Sequence, residues 1–174
     1  VEPAAALALV NEALDNYDDI IAAKEGVDEL MAGYSEEKAA AVAEAGVLAA
    51  AKAGNETQQA AAGAYETVKP VLAKTGDLDT ACAAIVKAGA AQTIQSSEEK
   101  MAAITAGVKQ KLADNGITEE TEGYADILKA KLAEQVEAQA AAYAALEEGQ
   151  TKAAQLKAGY NGINDKIAEQ KATI

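Results

Sequence analysis

The chain has 174 residues, of which roughly a quarter are Ala, with no Phe, Trp, His or Arg, a single Cys, and a net charge of −13 against 15 Lys. That length suits a single domain spanning 1–174, and the charge repels nucleic-acid backbones and anionic headgroups. Without Arg there is no bidentate grip on guanine or phosphate, and without His the commonest general base and transition-metal ligand is missing.

Ala is the strongest helix former, and Glu, Lys, Gln and Leu follow it closely. These residues dominate the chain, so an all-α fold is predicted. Burial of Ala removes little area at roughly 25 cal/mol per Å², so helices must gain stability through many small contacts at close approach. The chain opens on Val1-Glu2-Pro3, which reads as an excised fragment of a longer envelope protein or an exported chain. Pro3 fits a helix's first turn, where the missing N–H costs nothing. Ser35-Glu36-Glu37 is a candidate N-cap, and Gly54-Asn55 is a candidate break. Gly76-Asp77, with Asp79 nearby, matches a helix-ending Gly followed by a cap. Asp114-Asn115-Gly116 is the firmest boundary, with Thr118-Glu119-Glu120 as the next N-cap.

The firmer breaks leave segments 3–53, 56–114 and 118–172, each roughly 75–90 Å long if unbroken. Pro70 and Gly76 are expected to kink or interrupt the middle one. The predicted architecture is an elongated antiparallel bundle or coiled coil of about three long helices. Its rival is a compact bundle of five or six shorter helices, using Ser35 and Gly76 as turns. In the last segment Leu132, Leu146, Ala153, Tyr160, Ile167 and Ile174 fall on a seven-residue spacing, interrupted at Gln139. A second seam runs through Val136 and Tyr143, then moves by one residue to Gly149, Leu156 and Ile163. Sustained sevens argue for a coiled coil, and the shift reads as a local change of winding. The first segment has similar seams: Leu7, Val10, Leu14, Tyr17 and Ile21, then Ile20, Ala23, Val27, Leu30 and Tyr34. Tyr17, Tyr34, Tyr143 and Tyr160 lie on or beside seams, which predicts packed rings with wet hydroxyls.

No chemistry-bearing constellation emerges. Ser-His and Cys-His pairs cannot form, and Cys82, alone and on an apolar helical face, reads as a small core residue. Asp77-Leu78-Asp79 and Asn16-Tyr17-Asp18-Asp19 are the densest oxygen-ligand groups, but neither has EF-hand spacing. Capping and solvation explain them. No glycine cluster forms a phosphate loop, and no stretch approaches the roughly 20 apolar residues of a membrane span. The expectation is a non-enzyme with no catalytic, cofactor or metal residues.

The thirteen glycines need a reason, since each costs about 1 kcal/mol against Ala inside a helix. Leu30-Met-Ala-Gly33, Val86-Lys-Ala-Gly89, Ile104-Thr-Ala-Gly107, Leu146-Glu-Glu-Gly149 and Leu156-Lys-Ala-Gly159 place Gly on the same face as an apolar residue three before it. That spacing predicts close approach of a neighbouring helix at each Gly. The pattern, best at 20–34 and 143–167, resembles the Leu-x-x-Gly heptad repeats in extracytoplasmic helical regions of the YhgE/Pip phage-infection-protein family of Gram-positive envelope proteins. The family's repeat is more regular, and flanking membrane helices do not occur here. The resemblance implies a cell-surface stalk or receptor region, outside a bacterial cell, that meets a protein partner or itself through helical faces. It carries over no catalytic residues. A cytoplasmic location is compatible with the composition.

Three functions compete. The leading expectation is a structural or interaction module. The alternative is an amphipathic helical bundle binding lipid or another apolar ligand. Ice binding by Ala-rich helices ranks below both, because no two Thr residues stand eleven apart.

Overall fold

A computed structural model describes residues 3–174 of the chain, in backbone and in all side chains but those of Asp15 and Asp18. Among the described residues the chain forms six helices: α1 (Pro3–Lys52), α2 (Glu56–Thr75), α3 (Leu78–Ser96), α4 (Glu98–Asp114), α5 (Tyr124–Ala145) and α6 (Glu147–Thr173). The elongated three-helix coiled coil is therefore overturned, and the helix count is that of the rival arrangement. The chain divides into two compact units, Val1–Ala49 with Lys166–Ile174, and Ala50–Asp165.

The expected middle segment breaks twice. Gly76 ends α2 in the left-handed conformation (φ 74°), its N–H bonded to the Leu72 carbonyl, and Asp77 then caps α3. The Asp77 side chain accepts from the Thr80 N–H at 2.9 Å and from the Thr80 hydroxyl at 2.7 Å. These bonds hold its carboxyl below the ordinary value. Ser97 makes the second break, capping α4 by accepting from the Lys100 N–H at 3.2 Å. Pro70 lies within α2 without ending it. The α1–α2 break falls at Gly54-Asn55 as the sequence suggests, where Asn55 and Gln58 form a reciprocal capping box. Ser35, in contrast, starts nothing: α1 runs through it.

The last segment also breaks, and its seam shows why. Leu146 takes an extended conformation (φ −69°, ψ 159°) between α5 and α6. The one-residue slip from Tyr143 to Gly149 is thus a helix boundary and not a change of winding. Seam residues on its two sides serve different cores. Leu132 and Val136 join Ile94, Ile104, Val108 and Leu112, whereas Ala153, Leu156 and Tyr160 pack on Val68, Ala81 and Cys82. α5 starts later than expected. Thr118 does not cap it; the Thr118 N–H donates to the Thr121 hydroxyl within a loop, and Gly123 (φ 72°) leads into the helix.

In the unit Ala50–Asp165, α3 packs against α2, α4 and α5, and α4 packs against α5. Each buried Val, Ile or Leu contributes roughly 1.5–3 kcal/mol, so Ile94, Ile104, Val108, Leu112 and Val136 in one cluster and Val68 in the other outweigh the many small side chains, which bury little. In the other unit, Lys171 pairs with Glu36 at 3.4 Å. The seam of the first segment does not pack: Leu7, Val10, Leu14, Tyr17, Val27, Leu30 and Tyr34 are all exposed.

Close approach at glycine holds at two of the five sites expected to show it. A Cβ at Gly159 would lie 2.8 Å from the Ala64 Cβ and 3.3 Å from the Ala61 Cα, so α6 lies directly on α2 there. At Gly149 it would lie 2.4 Å from the Tyr143 carbonyl oxygen, so only Gly lets the first turn of α6 fold onto the end of α5. Around Gly33, Gly89 and Gly107 there is open space. Gly159→Ala is expected to lower stability by about 1–3 kcal/mol through overpacking. Gly107→Ala, exposed inside α4, should raise it by up to about 1 kcal/mol. Urea unfolding of the two variants checks this, and a gain at both positions would rule out the α2–α6 contact.

Candidate functional site

The sequence points to no site residues. The structure nevertheless places a groove of about 1300 Å³ in the unit Ala50–Asp165, walled by α2, α3, α5 and α6, with Lys100 of α4 on its lining. Its volume exceeds the roughly 300–1,000 Å³ of ordinary small-molecule pockets.

Helical periodicity builds the walls. On α2, Thr57, Ala60, Ala61 and Ala64 recur at spacings of three and four and therefore share a face. On α3 the same spacing brings Ile85, Val86, Gly89, Ala90 and Thr93 together. The Thr93 hydroxyl donates to the Gly89 carbonyl at 2.9 Å, so its proton is used within the helix. Leu156 of α6 adds an apolar surface. The space exists because these residues are small: a Cβ at Gly89 meets nothing within 4 Å.

One polar cluster stands on the lining, at the α5–α6 junction. The Tyr143 hydroxyl donates to Glu148 Oε1 at 3.1 Å. Lys152 Nζ lies 3.7 Å from the same carboxylate oxygen and 5.2 Å from the centre of the Tyr143 ring. Tyr143 above all, with Glu148 behind it, holds Lys152 above its ordinary value, which keeps it an ammonium ion. Because these groups are solvent-exposed, the pairing contributes little to stability. Its effect is to fix where charge sits beside the groove. The tight turn at Gly149 sets this cluster, since it fixes how Tyr143 of α5 faces Glu148 and Lys152 of α6.

The other residues considered from sequence fall elsewhere. Asp77 is a helix cap, and Asp79 pairs with Lys157 at 2.8 Å. Asp79 in turn holds Lys157 above its ordinary value. The Asp18 side chain of the Asn16–Asp19 group lies outside the described residues. Among the described residues no group of three or more His, Cys, Asp or Glu is arranged to hold a metal ion. None of the described helices is long and apolar enough to cross a membrane. Tyr17 and Tyr34, expected to have packed rings, are exposed. Tyr160 stacks on Tyr65 with ring centres 5.2 Å apart, and Tyr143 edges the groove. The sequence signal for the groove was the recurrence of Ala and Gly on one face of α2 and of α3. It was invisible as a site because small residues on a helix face equally signal close packing.

What the fold and groove define is an all-α helical bundle with an apolar groove and no recognisable catalytic motif. Compared with protein-family models, with curated proteins and with solved structures, the chain matches none.

Cys82 is buried, in the cluster with Val68 and Ala81. Burial first, and the Asp79 carboxylate second, push its thiol upward against the opposing pull of Lys157. A thiol kept neutral and covered is a poor nucleophile. In the folded protein at pH 8, Cys82 is expected to react with a thiol-specific disulfide reagent at least tenfold more slowly than in 8 M urea. Equal rates would place the thiol at the surface.

Proposed function

We propose that this protein binds a lipid-like or other apolar ligand in the groove along α3. The observation carrying this reading is the groove itself: about 1300 Å³, with eleven of its nineteen lining residues Ala, Gly, Val, Ile or Leu, in a protein with few large apolar residues to spare. An apolar wall facing water costs free energy that an apolar guest recovers. Isothermal titration with dodecanol, a neutral single-chain probe, tests it. Gly89→Leu is the decisive variant. A Leu side chain there has room to enter the groove and improves helix propensity, so the variant should fold at least as well while binding dodecanol at least tenfold more weakly. Absence of dodecanol binding by the natural chain, or undiminished binding by Gly89→Leu, would eliminate the reading.

A second reading rests on α1. Leu7, Val10, Leu14 and Tyr17, spaced by three and four residues along one face of α1, are all exposed, and an exposed apolar stripe of this kind marks an interaction site. Residues 3–34 carry seven carboxylates against Lys24, and Lys24 is itself paired with Asp28 at 2.8 Å. We propose that this helix docks a protein partner whose apolar helical face is edged with Lys or Arg. Such a partner suits the scaffold or receptor role at a bacterial cell surface that the Leu-x-x-Gly resemblance implies. A second copy of α1 suits it less, because like charges would meet. A 28-residue amphipathic Leu/Lys peptide is expected to bind with an affinity that falls as salt rises, and its Leu/Glu counterpart is not. Equal binding of both peptides would remove the charge argument.

A further inference from the structure

The charges on the groove's lining are Lys100, Glu148 and Lys152. That local balance is positive in a chain whose total is −13. The three are not equally free. Glu148 accepts from the Tyr143 hydroxyl and faces Lys152, so both of its neighbours already compensate it. The Lys100 ammonium makes no ion pair or hydrogen bond among the described residues. Lys152 keeps donor capacity, since an ammonium has three N–H groups and its contact with Glu148 is long, at 3.7 Å. A cationic guest would therefore find its one carboxylate already engaged, whereas an anionic guest would meet two ammonium groups with donors to give.

The walls also select the rest of the guest. Tyr143 is the one aromatic residue of the lining, and it already sits under Lys152. A flat polycyclic ligand would thus lack the aromatic platforms that usually hold one. From Ile85 to Ile94 the α3 wall rises about 13 Å, with Ile85, Val86 and Ile94 at its ends and Gly89 and Ala90 between them. An alkyl chain can lie on such a wall and needs no directional contact there.

We propose that the occupant of the groove is a single-chain amphiphile with an anionic head, its chain against Ala60, Ala61, Ala64 and Gly89 and its head facing Lys100 and Lys152. This rests on the reading of the groove as an apolar-ligand site and adds the class of ligand. Dodecanoate, dodecanol and dodecyltrimethylammonium share a chain and differ in head charge. They are titrated into the full chain at pH 8 and low salt, below their micelle-forming concentrations. Dodecanoate is expected to bind about fivefold more tightly than dodecanol, and the ammonium more weakly than either. In the Lys100→Gln, Lys152→Gln double variant the ratio of dodecanoate to dodecanol affinity should fall towards one. Circular dichroism serves as the check that the variant keeps its helices. Dodecanol binding as well as dodecanoate, or a ratio unchanged in the double variant, would overturn the anionic head while leaving the groove as an apolar site. Failure of all three probes would overturn the groove reading and this inference together.

Discussion

α3 takes part in two apolar clusters of the unit Ala50–Asp165, and the unit's architecture depends on that double use. Its first turns supply Ala81 and Cys82 to the cluster with Val68, and its last turn supplies Ile94 to the cluster with Ile104, Val108, Leu112 and Val136. With no Phe or Trp in the chain, the largest side chains that reach the two clusters are Tyr124 and Tyr160. Between the two clusters Val86 is buried on α3, while Ile85 and Ala90 are only half-buried. The middle of the helix, from Ile85 to Thr93, is where the groove lies. A shortage of large apolar residues thus leaves an unfilled space along the middle of α3.

The same shortage explains how much was legible in the sequence. Helix content followed from composition, and the stops at Gly54-Asn55, Gly76 and Asn115-Gly116 followed from turn chemistry that is local. The breaks at Ser97 and Leu146 were not read. The tetrapeptide Ser-Glu-Glu-Lys occurs twice, at 35–38 and at 97–100. At 35 it lies inside α1, and at 97 it caps α4. A cap is worth only about 0.5–2 kcal/mol, which permits a helix start without compelling one. What separates the two copies is the neighbourhood. After Ser97, turning back lets Ile104, Val108 and Leu112 reach Ile94, a gain of several buried side chains. Around Ser35, in contrast, residues 31–38 are all exposed.

The heptad pattern misled for a related reason. A seven-residue spacing records that apolar residues recur on a helix face, but it does not say which partner covers them. Leu132 and Val136 are covered by α3 and α4, and Leu156 and Tyr160 by α2 and α3. The pattern continues across the break because both helices need an apolar face. The one-residue slip after Tyr143 was the visible mark of the boundary. In an Ala-rich chain such a slip has two physical meanings, a change of winding or a new helix, and no local residue distinguishes them.

Glycine acts in opposite ways on the two sides of the groove. At Gly159 and Gly149 the missing Cβ lets backbones approach within distances that any side chain would forbid, drawing α6 onto α2 and folding it against α5. At Gly89 the missing Cβ leaves space that no neighbour fills. The spacing from the preceding apolar residue is the same in all three cases, with Val86, Leu146 and Leu156 each three residues before the Gly. The sequence motif therefore determines where a side chain is withheld, and the surrounding helices decide whether a backbone or a void takes its place. α6 is drawn close at Gly159, where Tyr160 and Leu156 beside it have Tyr65 and the Val68 cluster to pack on. Along the middle of α3 the α2 residues on the groove are Thr57, Ala60, Ala61 and Ala64, which offer too little burial to pull the helices together there.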